Sequence, residues 1–163
     1  MRLLLVCSSG GHFKGLLQLR RFWSQHQRSW VTFDTATTRA ALEGESVRWA
    51  HSPTNRHLPN LLRNGLLSWR ELRRQRPDVI LSTGAGVAVP FLIVGKLLGC
   101  RTVFVESITR IESLSLSARL VLPFLDRLFV HWPQVQARYP RAELIRAEQI
   151  HAELIPAEGG PLP

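Results

Sequence analysis

The chain has 163 residues, of which 45% are hydrophobic, and its formal net charge is +9. This length and apolar fraction exclude an intrinsically disordered chain and predict a single folded domain with a sizeable core. The positive charge favours an anionic partner such as a phosphorylated substrate, anionic lipid or nucleic acid, although a basic surface that only confers solubility is an equally good interpretation.

The cysteines and the apolar runs indicate in which compartment the protein is expected. Cys7 and Cys100 each adjoin a predicted strand and show no metal-ligand spacing, so we expect buried, reduced thiols of a cytosolic protein and no metal site. The longest apolar stretch, residues 85–99, contains Pro90 and Lys96 and is too short to span a bilayer. We therefore predict neither a signal peptide nor a transmembrane helix.

Strand and helix signals alternate along the first 140 residues. The predicted strands are residues 2–7, 29–34, 47–50, 78–82, 101–105 and 127–131, the last of the sheet. The predicted helices are residues 11–25, 37–44, 87–98 and 114–124, with one more between residue 55 and Pro77. This order predicts an α/β fold, a Rossmann-like parallel sheet with helices on both faces.

The last part of the chain has a different character. Residues 141–160 read as four pentapeptides, "RAELI RAEQI HAELI PAEGG". A period of five fits neither a helix nor a strand, and the segment is acidic whereas the rest is basic. We therefore divide the chain into a Rossmann-like domain, residues 1–140, and a low-complexity tail, residues 141–163.

Two glycine-rich turns follow strands at the edge where such sheets bind ligands. In "SSGGH", Ser8 and Ser9 offer hydroxyl groups, while Gly10 and Gly11 allow close backbone approach just before a helix. These features predict an anion pocket that also includes His12, although tight packing would explain the glycines as well. The Gly-Lys-Ser/Thr ending of a P-loop is absent.

The second turn, "STGAG", brings Gly84 and Gly86 to the same edge and raises the odds that both turns bind a ligand. Glu106 directly follows the strand "RTVFV", where an acid is costly unless it is paired or functional. It could be a general base for a sugar hydroxyl or accept hydrogen bonds from a sugar. A salt bridge with Arg110 and a helix cap are the structural alternatives.

Four stretches together resemble a known family: "SSGGH", "STGAGVAVPF", "VESITRIESLSLSARLVLPFLDRLFVHWP" and "YPRA". The chain resembles the acceptor-binding subunit of the bipartite UDP-N-acetylglucosamine transferase that builds dolichol-linked oligosaccharides. It resembles even more closely the bacterial relatives of that subunit in exopolysaccharide synthesis. The resemblance covers residues 1–142, and the third stretch is its specific part.

The resemblance implies the N-terminal half of a GT-B glycosyltransferase, made as a separate chain. It implies a subunit, inactive alone, that binds a polyprenyl-diphosphate-linked sugar as a peripheral protein on the cytoplasmic face of the membrane. It further implies a second polypeptide, a catalytic subunit that binds the UDP-sugar, with the active site in the cleft between the two. No cofactor and no metal are expected.

The resemblance also implies roles for individual residues. Glu106, near the acceptor hydroxyl, and His12, against the acceptor diphosphate or sugar, are the candidate catalytic residues. The candidate residues for binding the acceptor or its phosphates are Ser8, Ser9, Gly10, Gly11, Gly84, Gly86, Ser107 and Arg110.

Two features depart from the family. Eukaryotic members carry an N-terminal membrane anchor, whereas this chain starts at its first strand, so the candidate membrane contact is Arg56–Arg76. A helix packed on the sheet with its arginines in solvent is the alternative. The family also continues past "YPRA" into a segment that helps to hold the catalytic subunit, where this chain has its pentapeptide repeat.

A second class of function stays open, a phosphate- or nucleotide-binding Rossmann module with a regulatory or scaffolding role. Nucleic-acid binding is not predicted, because the arginines are scattered and no aromatic–basic stacking platform is visible. A stand-alone glycosyltransferase is disfavoured, since the sequence predicts one Rossmann half and a GT-B enzyme needs two.

Overall fold

The computed structural model describes residues 1–54 and 57–145. Its centre is a sheet of seven strands in the order β3-β2-β1-β4-β5-β6-β7, and every neighbouring pair is parallel. The strands are β1 (Arg2–Cys7), β2 (Gln27–Phe33), β3 (Val47–Ala50), β4 (Val79–Gly84), β5 (Arg101–Val105), β6 (Arg127–Val130) and β7 (Ala142–Leu144). The predicted parallel Rossmann-like sheet is confirmed.

Helices cover both faces of this sheet. They are α1 (Gly11–Gln18), α2 (Arg20–Trp23), α3 (Ala36–Ala41), α4 (Leu58–Gln75), α5 (Ala88–Leu97), α6 (Leu116–Val121) and α7 (Pro133–Arg138), and a 3₁₀ turn, Leu122–Phe124, follows α6. Within residues 1–54 and 57–145, none of the helices has the length and apolar content that a bilayer-spanning segment requires.

The strands are buried on both sides, so their residues alternate between two cores. One core contains Leu4 and Ile80 of the sheet and packs against α4, α5, α6 and α7. The other contains Leu5 and Leu81 and packs against α1 and α2. Continuous apolar strands such as "DVILS" are typical of this two-sided burial. Cys7 belongs to the second core, where burial raises the pKa of its thiol to about 12.

The helix predicted over residues 11–25 is interrupted at Leu19, so the prediction of one continuous helix is wrong. The indole Nε1 of Trp23 donates to the carbonyl oxygen of Leu16 at 2.8 Å. That oxygen would otherwise accept from the backbone of Arg20, four residues on. The side chain therefore takes the place of a backbone hydrogen bond, and Trp23 fills the core beside Trp30.

The sheet also continues past residue 131, where the sequence predicted its last strand. Ala142–Leu144 forms β7, which pairs with β6, and Ile145 is buried in the second core. The first pentapeptide, "RAELI", is thus part of the sheet domain, because its apolar residues fill the space beside β6. The rest of the predicted tail, residues 146–163, lies outside the described residues.

Helix α4 is oriented with its polar side inward. Asn60, Asn64, Ser68 and Glu71 are buried, whereas the exposed fractions of Leu58, Leu62, Leu66 and Trp69 are 64%, 68%, 53% and 43%. Hydrogen bonds fix this orientation: Asn64 accepts from the backbone N–H of His51 and donates to its carbonyl, both at 2.9 Å. Turning the leucines inward would break both of these bonds.

Candidate functional site

The strand order reverses between β1 and β4, which lie side by side at the centre of the sheet. In sheets of this kind, the crevice at the carboxyl ends of such a pair is the usual ligand site. A cavity of about 1080 Å³ lies there. It is lined by the loops that follow β1, β2, β3, β4 and β5 and by the first turns of α4, α5 and α6.

The structure places half of the predicted site residues on the wall of this cavity. The lining includes Ser8, Ser9, His12, Gly86 and Arg110. Gly10, Gly11, Gly84, Glu106 and Ser107 lie in the same loops but not among the lining residues. The roles of all ten residues stay predictions.

Other polar residues on the cavity wall were not among the predicted site residues. They are Thr35, Ser52, Thr54, His57, Ser115 and Ser117. Thr35 and Ser115 are the N-caps of α3 and α6, so their place before a helical pattern was the available signal. Nothing in the sequence around Thr54 and His57 marks them, because β3 and the start of α4 reach this edge only through the fold.

Hydrogen bonds of His12 connect the two glycine turns. We call residues 8–12 the first glycine turn and residues 82–86 the second. The Nδ1 of His12 lies 2.7 Å from the carbonyl oxygen of Thr83, and the hydroxyl of Thr83 donates to the carbonyl of His12 at 2.6 Å. Because a carbonyl only accepts, Nδ1 carries the proton, and Nε2 is the nitrogen left to accept from a ligand.

The N-termini of α1 and α5 open at this edge without side-chain caps. Gly10 before α1 and Val87 before α5 provide no capping side chain. At α5 the first two N–H groups already donate to the backbone carbonyls of Ala85 and Gly86, so only the first N–H groups of α1 are available to an anion. Arg110, also on the cavity wall, forms no ion pair with a carboxylate in the described part of the chain. This polar wall fits a phosphate-bearing ligand.

Glu106 is 2% exposed and its carboxylate is bound to the backbone. One oxygen accepts from the N–H of Ser107 at 2.8 Å and the other from the N–H of Ser115 at 2.7 Å. The carboxylate thus joins the two ends of the loop that carries Arg110, and the salt bridge with Arg110 considered above does not form. Ser115 in turn caps α6, through its Oγ and the N–H of Ala118.

His131, which follows β6, is close to Glu106. Burial lowers the pKa of His131, and the hydrogen bond to the backbone of Glu106 and its charge oppose this effect. The imidazole is therefore mainly neutral at pH 7. Among the described residues, no group of three or more His, Cys, Asp or Glu side chains could hold a metal ion.

Residues 3–147 match the family described as "Oligosaccharide biosynthesis protein Alg14 like". The chain belongs to the Alg14-like family. It is 30% identical over 165 residues to "UDP-N-acetylglucosamine transferase subunit ALG14" of Candida albicans, an alignment that covers 87% of this chain and 75% of the relative. The identity to the alg14 protein of Schizosaccharomyces pombe is 46% over 74 residues. The resemblance drawn from the sequence is confirmed.

The Schizosaccharomyces pombe alignment covers 42% of this chain and only 35% of that relative's length. The human ALG14 subunit is 35% identical over 82 residues, which is 47% of this chain and 38% of that protein. These two alignments therefore cover little more than a third of the relatives' length, whereas the Candida albicans alignment covers 75%.

The fold is shared with part of several larger proteins of known structure. MurG of Acinetobacter baumannii superimposes with a TM-score of 0.67 at 15% identity, over 82% of this chain and 42% of that one. The UDP-GlcNAc 2-epimerase of Methanocaldococcus jannaschii, in complex with UDP-GlcNAc and UDP, gives 0.68 at 13% identity, over 88% and 46%. The predicted fold, the N-terminal half of a GT-B glycosyltransferase, is thereby confirmed.

Proposed function

We propose that this chain is the acceptor-binding subunit of a two-chain glycosyltransferase. In this proposal the cavity between the two glycine turns holds a polyprenyl-diphosphate-linked sugar, and a second polypeptide supplies the UDP-sugar. The observation that carries the proposal is the phosphate-compatible cavity at the switch point of a fold that forms one half of GT-B enzymes. The reaction extends a lipid-linked oligosaccharide or polysaccharide by one sugar.

The need for a second polypeptide is supported by size and by the relatives' names. The chain covers 42% of the solved MurG and 46% of the epimerase, so the facing half of the cleft is outside the matched region. The curated relatives are named as subunits of a UDP-N-acetylglucosamine transferase. We infer that the catalytic partner closes over the carboxyl edge of this sheet and that the chain is inactive alone.

Within the cavity, the first glycine turn and Arg110 would bind the diphosphate. Uncapped helix N–H groups and a guanidinium are both suited to phosphate oxygens. His12 has a free Nε2 and could receive the proton of the attacking sugar hydroxyl. Glu106 would act differently from a base: its two bonds to backbone N–H groups favour a positioning role for the Arg110 loop.

We also propose that α4 touches the membrane on which the acceptor resides. Its outward leucines and Trp69 form an apolar stripe that polar contacts hold in place from the other side. Arg73 stacks on the ring of Trp69 at 4.9 Å, and arginines beside such a stripe attract anionic lipid.

The membrane contact is testable with anionic vesicles. Leu62→Gln together with Leu66→Gln changes two exposed residues of the stripe that do not line the cavity. We expect sedimentation with the vesicles to fall several-fold, and that of a Leu97→Gln control, at the exposed end of α5, to stay unchanged. Equal binding of both variants would contradict the role of α4.

The function itself is tested by reconstitution with a short UDP-sugar-binding polypeptide. Transfer of N-acetylglucosamine from its UDP derivative to a polyprenyl-diphosphate-linked sugar is measured for each chain and for the pair. We expect product only from the pair, and at least a tenfold loss with Arg110→Gln in this chain. A folded chain that binds no partner and no lipid-linked sugar would favour a phosphate-binding regulatory module.

A further inference from the structure

The cavity has an apolar wall that the anion chemistry leaves unexplained. Five of its lining side chains are aliphatic and come from three neighbouring helices: Leu58 and Leu61 of α4, Val89 of α5, and Leu116 and Leu120 of α6. We call these five residues the apolar trough. Helices α4, α5 and α6 pack on the same face of the sheet, with α5 in contact with both others.

The polar residues of the first glycine turn approach from the other side. Ser8, Ser9 and His12 lead into α1, which packs on the opposite face of the sheet. One cavity therefore combines the hydrogen-bonding groups of this turn with the aliphatic side chains of the trough, and His57, Ser115 and Ser117 line it next to the trough residues in the chain. Its volume of about 1080 Å³ is at the upper end of the range for small-molecule sites and far exceeds what one diphosphate fills.

From this arrangement we infer that the trough binds the first isoprene units of the acceptor's lipid chain, next to the diphosphate. The inference rests on the proposed function and assigns a subsite within it. An isoprenoid diphosphate has a dianionic or trianionic head and a branched aliphatic tail. These two parts match the polar and the aliphatic lining residues of the cavity. Burying that tail against leucine and valine side chains supplies hydrophobic affinity that a free phosphate lacks.

The trough opens toward the surface that we assign to the membrane. Leu58 belongs both to the trough and to the outward stripe of α4, so the two surfaces are continuous. Leu116 and Leu120 are exposed at the mouth as well, on the side of α6. A lipid chain leaving the diphosphate along the trough would thus have aliphatic side chains beside it up to the surface of α4.

Binding to the isolated full chain tests the trough without a membrane or a partner. The probes are farnesyl diphosphate below its micellar concentration, inorganic diphosphate and farnesol, measured by titration calorimetry in detergent-free buffer. We expect farnesyl diphosphate to bind at least tenfold more tightly than diphosphate, and farnesol to bind weakly because it lacks the charged head. Equal affinities for the two diphosphates would overturn the inference.

Substitutions at the mouth assign the affinity to the trough. Leu116 and Leu120 are 64% and 53% exposed, so Leu116→Gln with Leu120→Gln should leave the fold intact. We expect this double variant to bind farnesyl diphosphate about tenfold more weakly and inorganic diphosphate as before. Leu97→Gln is the matched control, since Leu97 is 73% exposed and does not line the cavity.

The outcomes separate the trough from the membrane contact and from the proposed function. Leu62→Gln with Leu66→Gln should reduce vesicle binding but not farnesyl diphosphate binding. Unchanged farnesyl diphosphate affinity in the Leu116 and Leu120 variant would overturn the trough and leave the two-chain transferase standing. Tight, trough-dependent binding without transfer by the reconstituted pair would support the subsite and count against the transferase.

Discussion

The two glycine turns at the carboxyl edge look alike in sequence but differ in what lies beside them. A Cβ added at Gly10 or Gly11 of the first turn would meet no atom within 4 Å. A Cβ at Gly84 of the second turn would lie 2.9 Å from Cε1 of His12, and one at Gly86 would lie 3.1 Å from Oγ1 of Thr54. The space beside Gly10 and Gly11 holds no other protein atoms, whereas the space beside Gly84 and Gly86 is occupied by His12 and Thr54.

The second turn therefore supports the first. The carbonyl of Thr83 binds His12, and the absence of a side chain at Gly84 leaves room for the imidazole ring. A glycine at the edge of a cavity need not contact a ligand itself. Here the space beside Gly84 holds the imidazole of His12.

Gly84→Ala should have the largest effect on stability. Gly84 has φ +118°, and the added Cβ would also collide with the ring of His12. We expect the free energy of unfolding, measured by urea denaturation, to fall by about 2–5 kcal/mol. In the double variant with His12→Ala, the collision disappears and only the backbone cost should remain. Additive effects of the two substitutions would show that Gly84 is not reserved for the imidazole.

Glu106→Gln changes the loop that follows β5, at the same edge of the sheet. The carboxylate accepts from two backbone N–H groups, whereas an amide can accept through one atom only. We expect a loss of about 1–3 kcal/mol in the free energy of unfolding, because one buried N–H is left without an acceptor. A variant with unchanged stability but abolished transfer would instead favour the role of a catalytic base.

Gly10→Ala should cost about 1–2 kcal/mol, less than Gly84→Ala, because only the backbone resists it. Gly10 has φ +76° and open space around its Cβ position. Gly44→Ala is the matched control, with φ +80° and equally open surroundings away from the cavity. Thermal unfolding of the two variants should give similar losses, and a much larger loss at Gly10 would mean that the first turn is packed after all.

How far the sequence predicted these features depends on how local their causes are. Strands β1 to β6 and the two turns follow from apolar runs and glycine spacing, so they could be predicted directly, whereas β7 could not. The break at Leu19 depends on the indole of Trp23 reaching the carbonyl of Leu16, which no helical pattern reveals. The orientation of α4 depends likewise on Asn64 meeting the backbone of His51, a contact that only the packed fold creates.

The candidate site shows the same division. Ser8, Ser9 and His12 were predicted from one short motif because they follow a strand directly. Thr54 and His57 were missed because the β3–α4 connection reaches the cavity through the strand order. Glu106 lies in the loop after β5, as its place in the sequence indicates, but its bonds to the two ends of that loop depend on the path of the chain between Ser107 and Ser115.

Ala85→Gly tests whether the second turn holds backbone strain. Ala85 lines the cavity with φ +76°, a conformation that costs an L residue about 1–2 kcal/mol. Glycine removes that cost but has more freedom in the unfolded chain, so we expect a net gain of about 0.5–1 kcal/mol in urea denaturation. A destabilised variant would show that the methyl group of Ala85 contributes packing that outweighs the strain.

Gly11→Ala should have the smallest effect on stability and the clearest effect on function. Gly11 starts α1 without a positive φ, and nothing lies within 4 Å of the added Cβ, so the free energy of unfolding should change by less than about 1 kcal/mol, in the stabilising direction. Gly65→Ala on α4 is the matched control, a helical glycine with equally open surroundings.

If the acceptor diphosphate approaches the backbone of the first turn, only Gly11→Ala should lower kcat/KM of the reconstituted pair, by at least tenfold. Equal kcat/KM for both variants would mean that the open space beside Gly11 is filled by water, and the ligand would then have to lie nearer to Arg110 and the apolar trough.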